Sequence, residues 1–239
     1  MKKIFLMLTL TVSLTACDPQ TLQTVLDSVG SVTGVPLSQE EVGKGLKQAL
    51  EIGITKGAQS LSKQDGYFKS PYKILLPAEI RKVTEKLKGV PGFSNLEQNL
   101  LEKINRGAED AAKKAAPIFK TAITQMTFAD AFNILKGEKN AATTYLNTKT
   151  NSKLYNEFNP VIGQSLDKFK ARKVWSDAAN VYNKIPFVEK VNADLGDYVT
   201  KQALNGLFGM VAKKELDIRT NVSSRTTDLL KKVFAAQDK

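Results

Sequence analysis

The fold is decided by the stretch SNLEQNLLEKINRGAEDAAKKAAPIFKTAITQMTFADAFNILKG, residues 94–137. Its apolar residues recur every three or four positions, first at Leu100, Ile104, Ala108, Ala111 and Ala115, then at Ile118, Ala122, Ile123 and Met126. Residues at this spacing share one face of an α-helix, whereas a half-buried strand would show strict alternation. The stretch therefore predicts successive amphipathic helices, the first of which extends to Pro117.

Short polar patterns mark where helices start. In a capping box, the side chains of the first and fourth residues each accept a backbone N–H of the first helical turn. Three pairs have this spacing: Ser38 with Glu41, Ser94 with Glu97, and Thr127 with Asp130. Gly137 follows the last apolar residue of the third such helix, which is typical of a helix end.

Helical spacing continues through the rest of the chain. Pro160, Gly163 and Pro186 interrupt the stretch that follows Gly137, and apolar stripes then occupy residues 195–211 and 229–234. No sustained alternation of apolar and polar residues is present, so the sequence predicts no long strand.

Two details refine this prediction. Gly53 and Gly57 lie four residues apart on the first predicted helix, which would let another backbone approach closely. A strand is expected at most as a short piece near Lys73–Leu76. We therefore predict an all-α fold with a single multi-helix, bundle-like domain over residues 38–239.

The first seventeen residues have the pattern of a bacterial lipoprotein signal. Two lysines precede the apolar run Ile4–Leu14, which is too short to span a bilayer as a helix. Leu14-Thr15-Ala16-Cys17 resembles the lipobox, an aliphatic residue and two small residues before a cysteine. The resemblance implies removal of a signal peptide over residues 1–16 and lipidation of Cys17, with palmitate or a similar acyl chain. Residues 17–37 would then form a tether to the membrane. An ordinary signal peptide with a chance cysteine is the alternative.

Composition narrows the classes of function. The chain has no histidine, which excludes serine–histidine and cysteine–histidine nucleophile systems and histidine-containing zinc sites. A single cysteine excludes an intrachain disulfide. The net charge of +11 would attract anionic lipid, acidic polysaccharide or nucleic acid, although an exported protein rarely meets nucleic acid. A lysine-rich, solvated surface is the plainer interpretation of the same charge.

Several segments together resemble one bacterial family. They are Ile104–Glu109, Met126–Ala131, Ile134–Gly137, Ala141–Tyr145, Phe158–Pro160, Tyr198–Phe208, Ile218–Arg219 and Ser224–Phe234. In order and spacing they resemble the family described only as domain of unknown function 4197, over about residues 43–235. Gly107, Lys214 and Val222 depart from that family's usual residues. The resemblance implies a helical protein of the envelope and assigns no activity.

One group of candidate site residues lies on a single predicted helix. Glu102, Asn105, Arg106 and Glu109 fall within a narrow stripe, opposite the apolar face. The stripe is either a solvated face with a Glu102–Arg106 ion pair or a polar site that faces another helix.

The other candidates lie on later segments. Asp130 is predicted to cap a helix, and Glu215 with Arg219 has the spacing of an ion pair on one helix face. Arg219 and Arg225 flank a predicted loop, where they could bind a phosphate or carboxylate or tie the last helix to the bundle. The aromatic residues Tyr145, Tyr155, Trp175, Tyr182 and Tyr198 could line a groove, or they could belong to the core.

These patterns favour a non-catalytic role. No phosphate-binding glycine loop, nucleophile elbow or calcium loop is present, so we expect no cofactor and no metal. We predict a cell-envelope lipoprotein, anchored to an inner or outer membrane, that binds or organises an anionic envelope ligand or a protein partner. Two alternatives remain: an enzyme acting on cell-wall glycan, with Glu109 or Glu157 buried in a long cleft, and a carrier of a lipid or other hydrophobic ligand.

Overall fold

The computed structural model describes residues 38–76, 78–168, 170–191 and 195–235. The predicted signal peptide, Cys17 and the tether lie outside these ranges. Within them the chain forms nine α-helices and no strand, which confirms the predicted all-α fold. The helices are α1 (Gln39–Leu61), α2 (Ala78–Leu87), α3 (Leu96–Ala112), α4 (Ala115–Gln125), α5 (Phe128–Lys136), α6 (Ala141–Lys168), α7 (Ala171–Tyr182), α8 (Gly196–Thr220) and α9 (Asp228–Phe234), with a 3-10 turn at Val222–Ser224.

The two long helices α6 and α8 form the centre of the domain. They pack against each other, α6 also contacts α3, α4, α5 and α7, and α8 also contacts α1 and α3. Phe158 of α6, Trp175 of α7 and Leu207 of α8 are completely buried. Burial of one such side chain contributes roughly 1.5–3 kcal/mol, so this shared core holds the surrounding helices in place. Among these helices, α4 and α5 pack beside the first half of α6.

Glycines bring α1 against α8, as the sequence predicts. A Cβ atom at Gly53 would lie 3.3 Å from Ile218 Cδ1, and one at Gly57 would lie 3.0 Å from Met210 Cγ. Both distances are shorter than an ordinary van der Waals contact between carbon atoms. A larger residue at either position would therefore push the two helices apart or displace the facing side chain.

Two of the three predicted capping boxes are confirmed. Ser38 Oγ accepts the Glu41 N–H at 3.2 Å, and the Ser38 N–H donates to Glu41 Oε2 at 2.8 Å. Thr127 and Asp130 form the same reciprocal pair at the start of α5, and α5 ends at Gly137.

The third predicted capping box, Ser94 with Glu97, is wrong. α3 begins at Leu96, and its N-cap is Asn95, whose side chain accepts no hydrogen bond from the first turn. Consecutive tight turns precede the helix, closed by hydrogen bonds from Phe93 N to Val90 O and from Leu96 N to Phe93 O. These turns move the start of the helix one residue beyond the position that the polar pattern marks.

Two prolines also behave differently from the prediction. α3 ends at Ala112, and Pro117 lies in the first turn of α4, where a missing N–H costs no intrahelical bond. Pro160 does not interrupt α6, which runs unbroken over 28 residues. Pro160 is exposed, so the backbone carbonyl that loses its donor lies on the solvent side of a helix that packing holds in place.

None of the described helices has an apolar stretch long enough to cross a bilayer.

Candidate functional site

Asn105 is buried and ties α3 to the segment that precedes α2. Its Oδ1 accepts a hydrogen bond from the Ile74 N–H at 2.8 Å, and its Nδ2 donates to the Ile74 carbonyl at 2.9 Å. A neighbouring strand would supply the same two bonds. Near Lys73–Leu76, where at most a short strand is expected, the described chain forms none, and Ile74 pairs with a side chain instead of a neighbouring strand.

Glu109 and Arg106 hold the turn that follows α1. Glu109 Oε1 accepts the N–H groups of Tyr67 at 3.1 Å and Phe68 at 3.2 Å, and Oε2 accepts Arg106 Nη1 at 2.8 Å. Arg106 Nη2 also donates to Asp65 Oδ1 at 2.8 Å. Both carboxylate oxygens of Glu109 are therefore occupied by donors of the protein itself.

The stripe that contains these residues is mostly buried. The side chains of Glu109 and Arg106 are 5% and 18% exposed, and Asn105 has no exposed surface. Of the two predicted alternatives, a solvated face is wrong for these three residues and correct only for Glu102, whose side chain is 52% exposed. The stripe faces a loop rather than another helix.

Glu215 and Arg219 form a buried pair that joins two helix ends. Glu215 accepts the N–H groups of Ala142 at 2.9 Å and Thr143 at 2.8 Å, which are free amides of the first turn of α6. Arg219 Nη2 donates to the Ile134 carbonyl near the end of α5 at 2.6 Å, and its Nε donates to Glu215 at 3.0 Å. The pair therefore closes the α5–α6 connection and is not a plain surface ion pair.

Arg225 is also fully buried. Its Nε donates to the Ile218 carbonyl and its Nη2 to the Arg219 carbonyl, both at 3.0 Å, which satisfies the end of α8. The guanidinium lies 5.7 Å from the centre of the Phe234 ring of α9. Of the two predicted alternatives, these contacts favour the one in which the arginines tie the last helix to the bundle. The guanidinium groups of Arg219 and Arg225 are both used in contacts inside the domain.

The remaining candidate, Asp130, faces a groove between α4, α5 and α6. The groove has a volume of about 340 Å³, which is within the range of small-molecule sites. Its polar lining includes Thr121, Gln125, Asp130, Tyr145, Lys149 and Lys153. Sequence reasoning singled out Asp130 and Tyr145 but not the two lysines, because only the folded chain brings the three helices together.

Hydrogen bonds fix the charge of the groove's acidic group. Asp130 Oδ2 accepts the Thr127 hydroxyl at 2.7 Å and the Thr127 N–H at 2.9 Å, and these bonds lower the pKa of Asp130. The Tyr145 hydroxyl lies 3.5 Å from the same oxygen. Burial raises the pKa of Tyr145, and the negative charge of Asp130 raises it further. At neutral pH the groove therefore contains an ionised Asp130 beside a protonated tyrosine.

Lys149 and Lys153 provide the positive charge of this groove. Both are exposed and lie four residues apart on α6, and neither forms an ion pair with any residue that the structure describes. Lys149 lies 5.8 Å from the centre of the Tyr145 ring. Like charges at this spacing repel each other on a helix. The positive charge of Lys149 also lowers the pKa of Asp130, but neither lysine lies within ion-pair distance of a described carboxylate. The groove thus offers two cationic donors against one ionised carboxylate.

Two further hollows are present. One, of about 450 Å³, adjoins the groove and shares Asp130 and Tyr145 with it. The other, of about 530 Å³, lies between α2 and the start of α3, where charges of both signs line it. Arg81, Lys82 and Lys88 share that hollow with Glu85 and Glu97.

Of the two alternatives for the five aromatic residues, the core accounts for more of them than a groove does. Trp175 and Tyr182 belong to the core, with 0% and 7% of their surface exposed. Tyr145 lines the groove described above, and Tyr155 and Tyr198 are half-buried on α6 and α8.

The glycan-cleaving alternative required a glutamate buried in a long cleft. Glu109 is buried, but its oxygens bind the Tyr67 turn and Arg106, and Glu157 is exposed on α6. In the part of the chain that the structure describes, no three acidic or thiol side chains cluster as a metal site requires.

A family model described as "Protein of unknown function (DUF4197)" matches residues 36–235. No curated protein matches the chain. No solved structure matches it either.

Proposed function

Because the chain belongs to the DUF4197 family, whose description assigns no activity, we propose a function from the geometry of its groove. We propose that the protein is a lipid-anchored binding protein of the bacterial envelope that acts without catalysis. It holds an anionic ligand in the groove between α4, α5 and α6. The observation that carries this proposal is the pair Lys149 and Lys153, which lines a hollow of ligand size and has no ion-pair partner among the described residues.

The other buried charges of the domain support this choice by elimination. Glu109, Glu215, Arg219 and Arg225 all bind backbone groups, and those contacts hold turns and helix ends in place. A ligand could reach them only by breaking the fold locally. The groove lysines, in contrast, are exposed, and they can turn toward a ligand without opening the fold. The described contact that such a turn would change is that of Lys149 with the Tyr145 ring.

The lining favours a ligand that combines an anionic group with hydroxyls. Two lysines can donate charge-assisted hydrogen bonds to a phosphate or carboxylate. The exposed Thr121 and Gln125 add a hydroxyl and an amide, and the half-buried Tyr145 adds an aromatic surface. A phosphorylated or acidic sugar of the envelope has this chemistry, and a large apolar ligand does not.

We place the protein at a membrane because its sequence predicts a lipid anchor. A lipobox-like sequence ends at Cys17, about twenty residues before the described domain begins. Two or three acyl chains on one cysteine would hold the protein stably, since each buried methylene contributes ~0.8 kcal/mol. The tether would let the groove reach ligands near the membrane.

The groove is tested by titrating the purified full chain with N-acetylglucosamine 1-phosphate and following binding by calorimetry. We expect Lys149→Ala/Lys153→Ala to weaken binding by roughly tenfold or more, because two charge-assisted bonds are lost. Lys82→Ala/Lys86→Ala is the matched control, since it removes the same charge at the same spacing from α2. If both variants weaken binding equally, net charge and not the groove explains the binding. If only the control weakens binding, the ligand binds in the hollow beside α2 and the proposal is wrong.

The anchor is tested separately by fractionating cells. The wild-type chain is expected in the membrane fraction with labelled palmitate attached, and Cys17→Ala is expected in neither state. A Cys17→Ala chain that still incorporates palmitate and remains with membranes would show that Cys17 is not the anchor.

A further inference from the structure

The loop between α7 and α8 exposes an aromatic side chain at its tip. We define the Phe187 loop as residues 183–191, in which Ile185-Pro186-Phe187-Val188 lies between Lys184 and Lys190. Phe187 is as exposed as it would be in an extended chain, with a relative surface of 108%. Among the large apolar residues of the described chain, the next most exposed is Leu75, at 61%.

The loop is held in shape at its base. The side-chain amide of Asn183 accepts the Val191 N–H at 3.0 Å and donates to the Val191 carbonyl at 3.2 Å. Ile185 and Val188 pack against the core from within the loop. The two ends of the loop are therefore clamped together, and its inner apolar residues are already used. Phe187 is the large apolar side chain of the loop that remains exposed to solvent.

The backbone at the tip is strained without any visible gain in the free protein. Phe187 has φ of +64°, in the left-handed region that a bulky residue rarely adopts. Glycine would adopt this conformation freely and would expose no apolar surface to water. A strained aromatic residue with no contact of its own indicates a surface that is completed by something outside the chain.

We propose that the Phe187 loop inserts its phenyl ring into the surface of an anionic lipid membrane. A ring flanked by two lysines fits this partner, because the ring enters the headgroup boundary while the ammonium groups remain among the anionic headgroups. Neither Lys184 nor Lys190 has an ion-pair partner among the described residues, and with Glu189 the loop retains a net positive charge. Val181, at the end of α7, adds partly exposed apolar surface at the base of the loop.

This inference goes beyond the proposed function, on which it rests only for the presence of a membrane within reach. The Phe187 loop and the ligand groove share no residue. One surface would orient the domain on the bilayer, while the other binds the ligand. The tether alone would leave the orientation of the domain free.

The test places a fluorescent probe at the tip. The full processed chain carrying Phe187→Trp is reconstituted into vesicles of phosphatidylcholine and phosphatidylglycerol with brominated acyl chains. Val222→Trp is the matched control, since Val222 is exposed on the 3-10 turn outside the loop. The native Trp175 is completely buried, and its emission is subtracted by using the wild-type chain.

Insertion predicts blue-shifted emission for Phe187→Trp and quenching at least roughly twofold stronger than for Val222→Trp. Adding Lys184→Ala/Lys190→Ala to the Phe187→Trp chain, or omitting phosphatidylglycerol, is expected to reduce the quenching. Equal quenching of the two tryptophan variants, or none, would overturn the proposal and would leave a protein partner as the occupant of the loop. Quenching that does not depend on phosphatidylglycerol would overturn the role of the lysines. The sugar-phosphate titration needs no membrane, so the two proposals fail independently.

Discussion

At the scale of single residues, one buried carboxylate organises the turn after α1. Glu109 accepts two backbone N–H groups and one guanidinium N–H, all from the protein. In Glu109→Gln the amide –NH₂ would face either the two N–H donors or the Arg106 guanidinium. Because a buried donor would then oppose a donor, we expect the free energy of unfolding to fall by about 2–3 kcal/mol in a urea titration.

The control for this change is Glu102→Gln on the same helix. Glu102 is half exposed and lies 3.5 Å from Arg106, so its replacement is expected to cost under ~0.5 kcal/mol. Similar losses for both variants would show that overall charge, and not the buried geometry, sets the effect.

The buried Tyr67 should lower the stability of the fold at alkaline pH. Its hydroxyl donates to the Ala203 carbonyl at 2.7 Å, burial raises its pKa well above the ordinary value of 10, and the charge of Glu109 raises it further. The contribution of Tyr67 is complete below the pKa of the unfolded chain and is lost as the pH rises past it, because only the unfolded tyrosine then releases its proton. Tyr67→Phe should therefore show a shallower fall in Tm above about pH 10 than the wild type. Parallel curves for the two chains would contradict this assignment.

The sequence identified these residues but not what they do. Asn105, Arg106 and Glu109 stand out as a polar stripe opposite an apolar face. Their partners, however, lie in the segment 65–74, some 31 to 42 residues away along the chain. A helical spacing reports which side chains share a face, and it contains no information on which distant backbone groups meet that face.

At the scale of helices, glycines of similar position should respond in opposite ways to alanine. Gly45 and Gly163 both lie inside long helices, α1 and α6. A Cβ at Gly45 would lie 2.6 Å from Val233 Cγ2 and would push α9 away, whereas one at Gly163 would meet nothing within 4 Å. We expect Gly163→Ala to raise the free energy of unfolding by about 0.5–1 kcal/mol. Gly45→Ala should lower it, and both changes can be measured by urea unfolding. Stabilisation by both would mean that α9 does not pack tightly against α1.

Short sequence patterns predicted helix ends correctly where residues of the same turn determine the end. The boxes at Ser38 and Thr127 are confirmed, because the two partners of each box lie within one turn. The predictions for Ser94 and Pro160 failed because contacts outside the local pattern determined the structure there. Turns before α3 moved its start, and packing of α6 on five helices kept it continuous through a proline.

At the scale of the whole molecule, stability should be flat near neutrality and fall in acid. The chain has no histidine, so no side chain with an ordinary pKa titrates between about pH 5 and 8. Hydrogen bonds from Lys69 and Arg106 lower the pKa of Asp65, and those from Thr127 lower the pKa of Asp130. Each contribution is complete above the unfolded value of 3.8 and is lost as the pH falls through the lower, folded pKa.

We therefore expect a constant Tm from about pH 8 to 5 and a steep decline below about pH 4. Asp130→Asn should make that decline shallower, which thermal unfolding followed by circular dichroism can measure. A decline that begins near pH 6 would show that another group controls acid stability.

The fold class could be predicted from the sequence, because the period of the apolar residues persists through most of the chain. The groove between α4, α5 and α6 could not be predicted. Its lining comes from α4, α5 and α6, and nothing in the sequence distinguishes Lys149 and Lys153 from the many lysines that do not line this hollow. The exposure of Phe187 could not be predicted either, since a large apolar residue is ordinarily expected in the core.

The position of Glu215 and Arg219 has a consequence for the order of folding. The pair makes contacts 72 to 85 residues back along the chain, to the start of α6 and the end of α5. Until α8 has been synthesised, those two helix ends have no side chains to close them. We therefore expect the α5–α6 connection to become stable only once the C-terminal third of the polypeptide is available, so that the last helices to be made set the moment at which the earlier ones lock together.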